Sequence, residues 1–215
     1  MDLTSTHRET YDSLAEEYEA RVPALRTVYE ETVSYFAPHL KKGGRVLDVG
    51  CGVGLAIEVL TKRGFVAMGI ELSSKMAEFA KRRNPEAEII IGDFLTEDFA
   101  EPFDGIIALA LVHLFPKDEA MQILRKMHDL LAPGGTLYIG TTESVESTEG
   151  WEVKEDYSGK HRRFRKHWTE EEFRRALEEA GFEVLELHRI TDPFGKKWMD
   201  FVAQKPVGNS FPPIL

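Results

Sequence analysis

The 215 residues hold one cysteine, Cys51, and only four side-chain amides, Asn84, Asn209, Gln122 and Gln204. A lone thiol closes no disulfide and builds no thiolate-rich metal site, so no metal centre is expected. No apolar stretch approaches the roughly 18 residues of a membrane span; the longest lies around Ile106 to Val112. Met1-Asp2-Leu3-Thr4 lacks the basic start and apolar core of a secretion signal, so a cytoplasmic protein without a membrane partner is expected. Positive charge is short as well. Lys and Arg number 27 against 37 Asp and Glu, a net charge of −10. That balance opposes bulk nucleic acid, whose binding depends on neutralising phosphates. Few amides among many Glu, Lys and Arg suggest a heat-adapted source; melting near 50 °C would speak against it.

What remains is the composition of an ordinary globular chain, 42% hydrophobic and 30% charged, long enough for one domain. Two amphipathic helices open it. Tyr11, Leu14, Ala15 and Tyr18 repeat at helical spacing, and Leu25, Val28, Tyr29, Val33 and Phe36 do so after Pro23, a helix-start residue. Short apolar runs then alternate with helical ones. Strands are expected at 45–49, 66–71, 88–91, 104–109 and 136–140, the last introduced by Pro133-Gly134-Gly135. Continuous apolar strands between helices imply a parallel sheet covered on both faces, the doubly wound α/β class. Near the end, Thr169 and Glu172 form a capping-box pair, with Trp168 as a staple residue at the helix entry. Phe182–Arg189 and Trp198–Gln204 read as a hairpin about Asp192-Pro193-Phe194-Gly195. Residues 1–40 are thus expected to form a helical cap within the same domain, 41–205 a ligand-binding core, and 206–215 a proline-rich tail.

The chemistry concentrates where Val46-Leu47-Asp48-Val49 runs into Gly50-Cys51-Gly52-Val53-Gly54 and then a helix. Glycines at alternate positions permit a tight turn and let a ligand approach backbone. Glu71 ends the second strand, with Leu72 beside it, where a carboxylate can accept both hydroxyls of a ribose. Asp93 and Phe94 follow the third strand, placed to accept from an adenine amino group and to lie near its ring. Ala108 and Leu109 end the fourth, before the Leu111-Val112-His113 turn. All these features fall on the carboxyl edge of the sheet, where strand order reverses.

This constellation resembles the class I S-adenosylmethionine-dependent methyltransferases over roughly residues 10–205. Asp48 to Gly54 looks like their first motif, Glu71 like their ribose-binding acid, Gly92-Asp93-Phe94 like their adenine-site turn, and Leu131 to Leu137 like the turn before their fifth strand. The resemblance implies a Rossmann-like seven-stranded sheet of order 3-2-1-4-5-7-6 with strand seven antiparallel, and S-adenosylmethionine as methyl donor. It also implies that the helix at Tyr11-Asp12-Ser13-Leu14-Ala15 folds over the donor. NAD enzymes likewise pair a glycine-rich turn with an acid. Their fingerprint is G-x-G-x-x-G, however, and Asp48 would repel a pyrophosphate while able to hold, directly or through water, a methionine ammonium. A NAD-dependent reductase and a non-catalytic donor-binding module are the alternatives.

His113 titrates in the useful range and is the candidate base. Tyr18 and Arg21 could close over the donor, Arg21 pairing its carboxylate. Tyr11 is expected to face the acceptor. The basic run 160–167, Lys-His-Arg-Arg-Phe-Arg-Lys-His, departs from the acidic chain, and its Arg162 and Arg163 are candidates for an anionic acceptor; as a solvated loop they would merely neutralise the glutamates upstream. A small-molecule acceptor and a monomer or homodimer are expected.

Overall fold

The computed structural model describes residues 3–154, 157 and 161–208; the expected tail lies outside them past Gly208. A single helix, α1 (Leu3–Phe36), replaces the two predicted from the sequence, with Pro23 inside it. Proline removes one backbone donor and crowds the carbonyl four residues back, here that of Glu19, which ordinarily ends a helix. Packing on both sides overrides that cost: Leu14, Ala15 and Val22 before or beside Pro23, and Thr32, Val33 and Phe36 after it, are all buried.

A 3-10 turn at Ala37–His39 leads into β1 (Arg45–Val49), α2 (Leu55–Lys62), β2 (Val66–Glu71), α3 (Ser74–Arg83), β3 (Ile89–Ile91) and β4 (Phe103–Leu109). A second 3-10 turn, Val112–Leu114, precedes α4 (Lys117–Leu130) and β5 (Leu131–Thr142). β5 starts earlier than the sequence predicts because Leu131 already pairs with Phe103, and the register shifts across Pro133-Gly134-Gly135 before Thr136 meets Gly105. The apolar pattern suggests a short connection after β5, but the connection is long. It forms an antiparallel hairpin of β6 (Thr148–Lys154) and β7 (His161–His167). Then come α5 (Glu170–Glu179), β8 (Glu183–Thr191) and β9 (Lys197–Gln204).

The main sheet runs β3-β2-β1-β4-β5-β9-β8, with β9 antiparallel to both neighbours. Set apart the β6–β7 hairpin and this is the predicted order. Alternation along each strand sends Leu47, Ile106 and Leu137 to a core under α4 and α5, and Val46, Ile107, Tyr138 and Val202 to one under α1, α2 and α3. Asp48 and Asp200, in step with Val46 and Val202, belong to the second face. No helix among the described residues is long and apolar enough to cross a membrane.

An ion network ties the three helices of that face together. Glu58 of α2 accepts from both terminal nitrogens of Arg26 at 3.0 and 3.1 Å and from Lys62 at 2.6 Å. Arg83 of α3 reaches Glu58 at 3.3 Å and Glu19 of α1 at 2.6 Å. The Arg26 hydrogen bonds hold the Glu58 carboxyl down to about 2 from the usual 4.5. A depressed carboxylate contributes stability that is complete above the unfolded value and lost as pH falls through the folded one. Glu58→Gln should therefore cost about 1–2 kcal/mol at pH 7. The difference from wild type should shrink between pH 4.5 and 2, followed by thermal unfolding; a gap that does not change over that range contradicts the network.

Candidate active site

The carboxyl ends of β1, β2 and β4 open onto a cavity of about 510 Å³, bounded along one side by α1 and at one end by β7 and the β8–β9 turn. The loop after β1 enters it with Gly50, Gly52 and Gly54 at φ of +72°, +54° and +78°. The glycines differ in purpose. A Cβ at Gly54 would meet Asn84 Nδ2 at 2.6 Å and the Ala80 backbone at 2.9 Å, so this residue lets the loop pack on α3. At Gly52 a Cβ would find only Met76 Sδ, at 3.9 Å, and the backbone faces open space.

Glu71 fixes the loop from the next strand. Its Oε2 accepts from Gly52 N–H at 2.8 Å and its Oε1 from Ser73 N–H at 2.9 Å, which leaves lone pairs on both oxygens. Burial pushes this carboxyl up. Behind the loop, Asp48 is buried and pushed up to about 8, first by burial and then by Glu71. α1 is latched over this end: Asp12 Oδ1 accepts from Ser73 Oγ at 2.6 Å and from Lys75 N–H at 3.2 Å.

The opposite end is basic. β7 alternates, so Arg163 and Arg165 turn inward and are buried, while Arg162 is exposed with its guanidinium 5.2 Å from the Trp151 ring. Arg165 donates to Thr142 Oγ1 at 2.5 Å. Arg163 acts on the Tyr11 hydroxyl by favouring its ionised form, its Nε has no partner, and no ion pair reaches it among the described residues. His7 of α1 stands edge-on to Phe115 and Tyr11, 98% buried, with Nε2 unpartnered. Burial, with Arg163 second, lowers its pKa to about 4. His113 is buried with Nδ1 3.1 Å from Thr141 Oγ1. Asp200, also on the wall, accepts from the Tyr138 hydroxyl at 2.9 Å and is pushed up to about 7 by burial.

Of the residues singled out from the sequence, Gly50, Cys51, Gly52, Glu71, Leu72, Asp93, Phe94, Leu109 and His113 line this cavity, as do Tyr11, Tyr18, Arg21 and Arg163. Arg21 lies over the Tyr157 ring at 3.7 Å, and Tyr18 stacks on the same ring at 4.7 Å. Four stand off the wall. Asp48 sits behind the loop, Gly54 against α3, Arg162 on the outer face of β7, and Ala108, fully buried, in the core on the α4 side. His7, Arg165, Trp198 and Asp200 line the cavity without having been singled out as site residues. His7 precedes Tyr11 by four residues, so carrying the stripe one turn back would have found it.

The family described as "Methyltransferase domain" matches residues 18–187. A dTDP-4-amino-2,3,4,6-tetradeoxy-D-glucose N,N-dimethyltransferase of Saccharopolyspora spinosa is 34% identical over 135 residues, 62% of this chain and 53% of that one. A ubiquinone biosynthesis O-methyltransferase of Coxiella burnetii is 34% identical over 46% of this chain and 44% of that one. The chain spans about half to two thirds of the length of the first curated relatives it matches. Among solved structures, the 1,6-didemethyltoxoflavin-N1-methyltransferase of Burkholderia thailandensis, with 1,6-didemethyltoxoflavin and S-adenosylhomocysteine bound, superposes with a TM-score of 0.76 at 21% identity, covering 94% of this chain and 88% of that one. An amino pentose methyltransferase from Micromonospora echinaspora gives 0.68 at 21% identity, over 88% and 95%.

Proposed function

Since the chain belongs to the class I S-adenosylmethionine-dependent methyltransferases, we propose that it transfers the methyl group of S-adenosylmethionine to a small-molecule acceptor. The observation that carries this is the pairing of Glu71 with the Gly52 backbone. It presents two carboxylate oxygens, already oriented, beside a loop with no side chain in the way. The residues fit the donor's charge as well. Two buried carboxyls at one end, Asp48 and Glu71, call for a positive ligand.

Bound there, S-adenosylmethionine supplies an electrophilic methyl group on a sulfonium. Glu71 accepts the ribose hydroxyls, Asp93 the adenine amino group with Phe94 near the ring, and Arg21 pairs the methionine carboxylate. Asp48 favours the ammonium through its field rather than by contact. The Asp12 latch keeps α1 closed over this end, and alignment with exclusion of water can supply roughly 7–11 kcal/mol. The acceptor enters from the basic end, and the unpaired charge of Arg163, with Arg165 beside it, makes an anionic group on it the natural complement. His113 borders that end too, but Thr141 already engages its Nδ1. Residues 1–40 act as the cap. A cytoplasmic monomer or homodimer from a heat-adapted source completes the reading, supported by the lone Cys51 and by the Glu58 network.

Titration calorimetry on the pure chain should find micromolar or tighter uptake of S-adenosylmethionine and S-adenosylhomocysteine, and no heat with NAD. Binding of NAD alone would refute the assignment.

A further inference from the structure

We infer that His7 takes the proton from the methyl acceptor while Arg163 beside it holds a carboxylate on that same molecule, which makes the acceptor a small hydroxy- or amino-substituted carboxylic acid. This rests on the methyltransferase reading above. Two buried side-chain atoms on one wall, His7 Nε2 and Arg163 Nε, have no hydrogen-bond partner. Buried polar groups are nearly always paired, and two unmet ones at the same end of a cavity point to a ligand. Their needs differ. A guanidinium only donates, whereas the free nitrogen of a neutral imidazole can accept. A molecule that meets both carries a negative group beside an O–H or N–H. Phe115 and Tyr11, against the His7 ring, suit a planar body.

The charged and titratable groups facing His7 are Arg163 from β7 and Tyr11 from its own helix; Phe115 covers the third side. Burial and Arg163 keep the imidazole neutral, and so able to accept, across the ordinary pH range. The acceptor's lone pair forms the bond to the methyl carbon as the carbon–sulfur bond breaks, its electron pair staying on sulfur. The acceptor's proton passes to His7 Nε2. One positive charge thus moves from sulfur to imidazole, and the carboxylate against Arg163 offsets the repulsion the imidazolium would otherwise meet.

The test offers the intact chain, with labelled S-adenosylmethionine, a panel of hydroxy- and aminobenzoates and their methyl esters. The free acids should be methylated at least about tenfold faster than the esters. His7→Gln should lower kcat by about 100-fold or more, a normal contribution for a positioned base, with acceptor KM and donor affinity by calorimetry within about threefold. Arg163→Met should instead raise the acceptor KM. Separately, the imidazole signal that vanishes in the His7→Gln spectrum should stay neutral down to about pH 5 by NMR. His7→Asn serves if the glutamine variant melts early. A wild-type chain that takes up the donor but methylates no free acid, a kcat loss under threefold, or a His7 charged at pH 6 each overturns the proposal. Failure of the wild type to take up the donor at all overturns the methyltransferase reading instead.

Discussion

Replacing Glu71 by alanine is expected to weaken uptake of S-adenosylmethionine by at least about 100-fold, measured by calorimetry on a variant that still melts cooperatively. Three losses coincide. The Gly52 and Ser73 N–H groups, now held at 2.8 and 2.9 Å, lose their acceptor, and a buried unpaired donor costs about 1–3 kcal/mol. At Gly52, with φ +54° and only Met76 Sδ near its Cβ position, no side-chain packing replaces that restraint, although Gly50 and Cys51 N–H still donate to Ile70 O at 2.9 and 3.1 Å. The acceptor for the ribose hydroxyls goes too. Losses of about 3 kcal/mol in total correspond to roughly 100-fold in affinity. Glu71→Gln separates the contributions. Its amide keeps one oxygen, but its NH₂ must face either Gly52 or Ser73, donor against donor, so most of the loss should persist. An alanine variant that binds within fivefold of wild type would remove Glu71 from the site.

The parts of this molecule legible in the sequence are those in which a local signal and the tertiary demand agree. Thr169 caps α5 by accepting from Glu172 N–H, and Trp168 packs on Phe173 as a staple, ring centroids 5.3 Å apart. The apolar strands, the glycine turn and the closing hairpin follow the same way, because each buries an uninterrupted set of side chains. Pro23 breaks the agreement. Its local preference ends a helix, but buried side chains on both sides, Leu14, Ala15 and Val22 before it and Thr32, Val33 and Phe36 after it, keep it continuous. Arg162 and Arg163 show a different limit. In a run of basic residues the choice of inward side chain depends on which strand register the β6–β7 pairing adopts, and that pairing leaves no trace in composition. The acidic end of the cavity is therefore readable from motif spacing, whereas at the basic end the sequence points to Arg163 but cannot separate it from Arg162.

These two ends make donor affinity a function of pH. In the free protein Asp48 titrates near 8, raised by burial and by Glu71, so below that pH it carries a proton. A cationic ligand at the same end stabilises the carboxylate and lowers its pKa, so binding releases the proton. S-adenosylmethionine should therefore bind more tightly as pH rises from about 6 to about 8, by up to tenfold per unit, and level off above 8. Calorimetry at pH 6.5 in two buffers of different ionisation heat should find between about half and one proton released per donor bound. Stability moves the opposite way without ligand. A carboxyl whose folded pKa exceeds its unfolded value of 3.8 binds more protons when folded, so the free chain should lose stability as pH rises from about 4 to about 8. Asp200, raised to about 7, adds to the same trend. Asp48→Asn should flatten the affinity profile, while the Asp200 part of the stability trend remains. A donor affinity independent of pH between 6 and 8 would mean that the charge of Asp48 does not reach the ligand, and that the acidic end of the cavity is built for packing rather than for a cation.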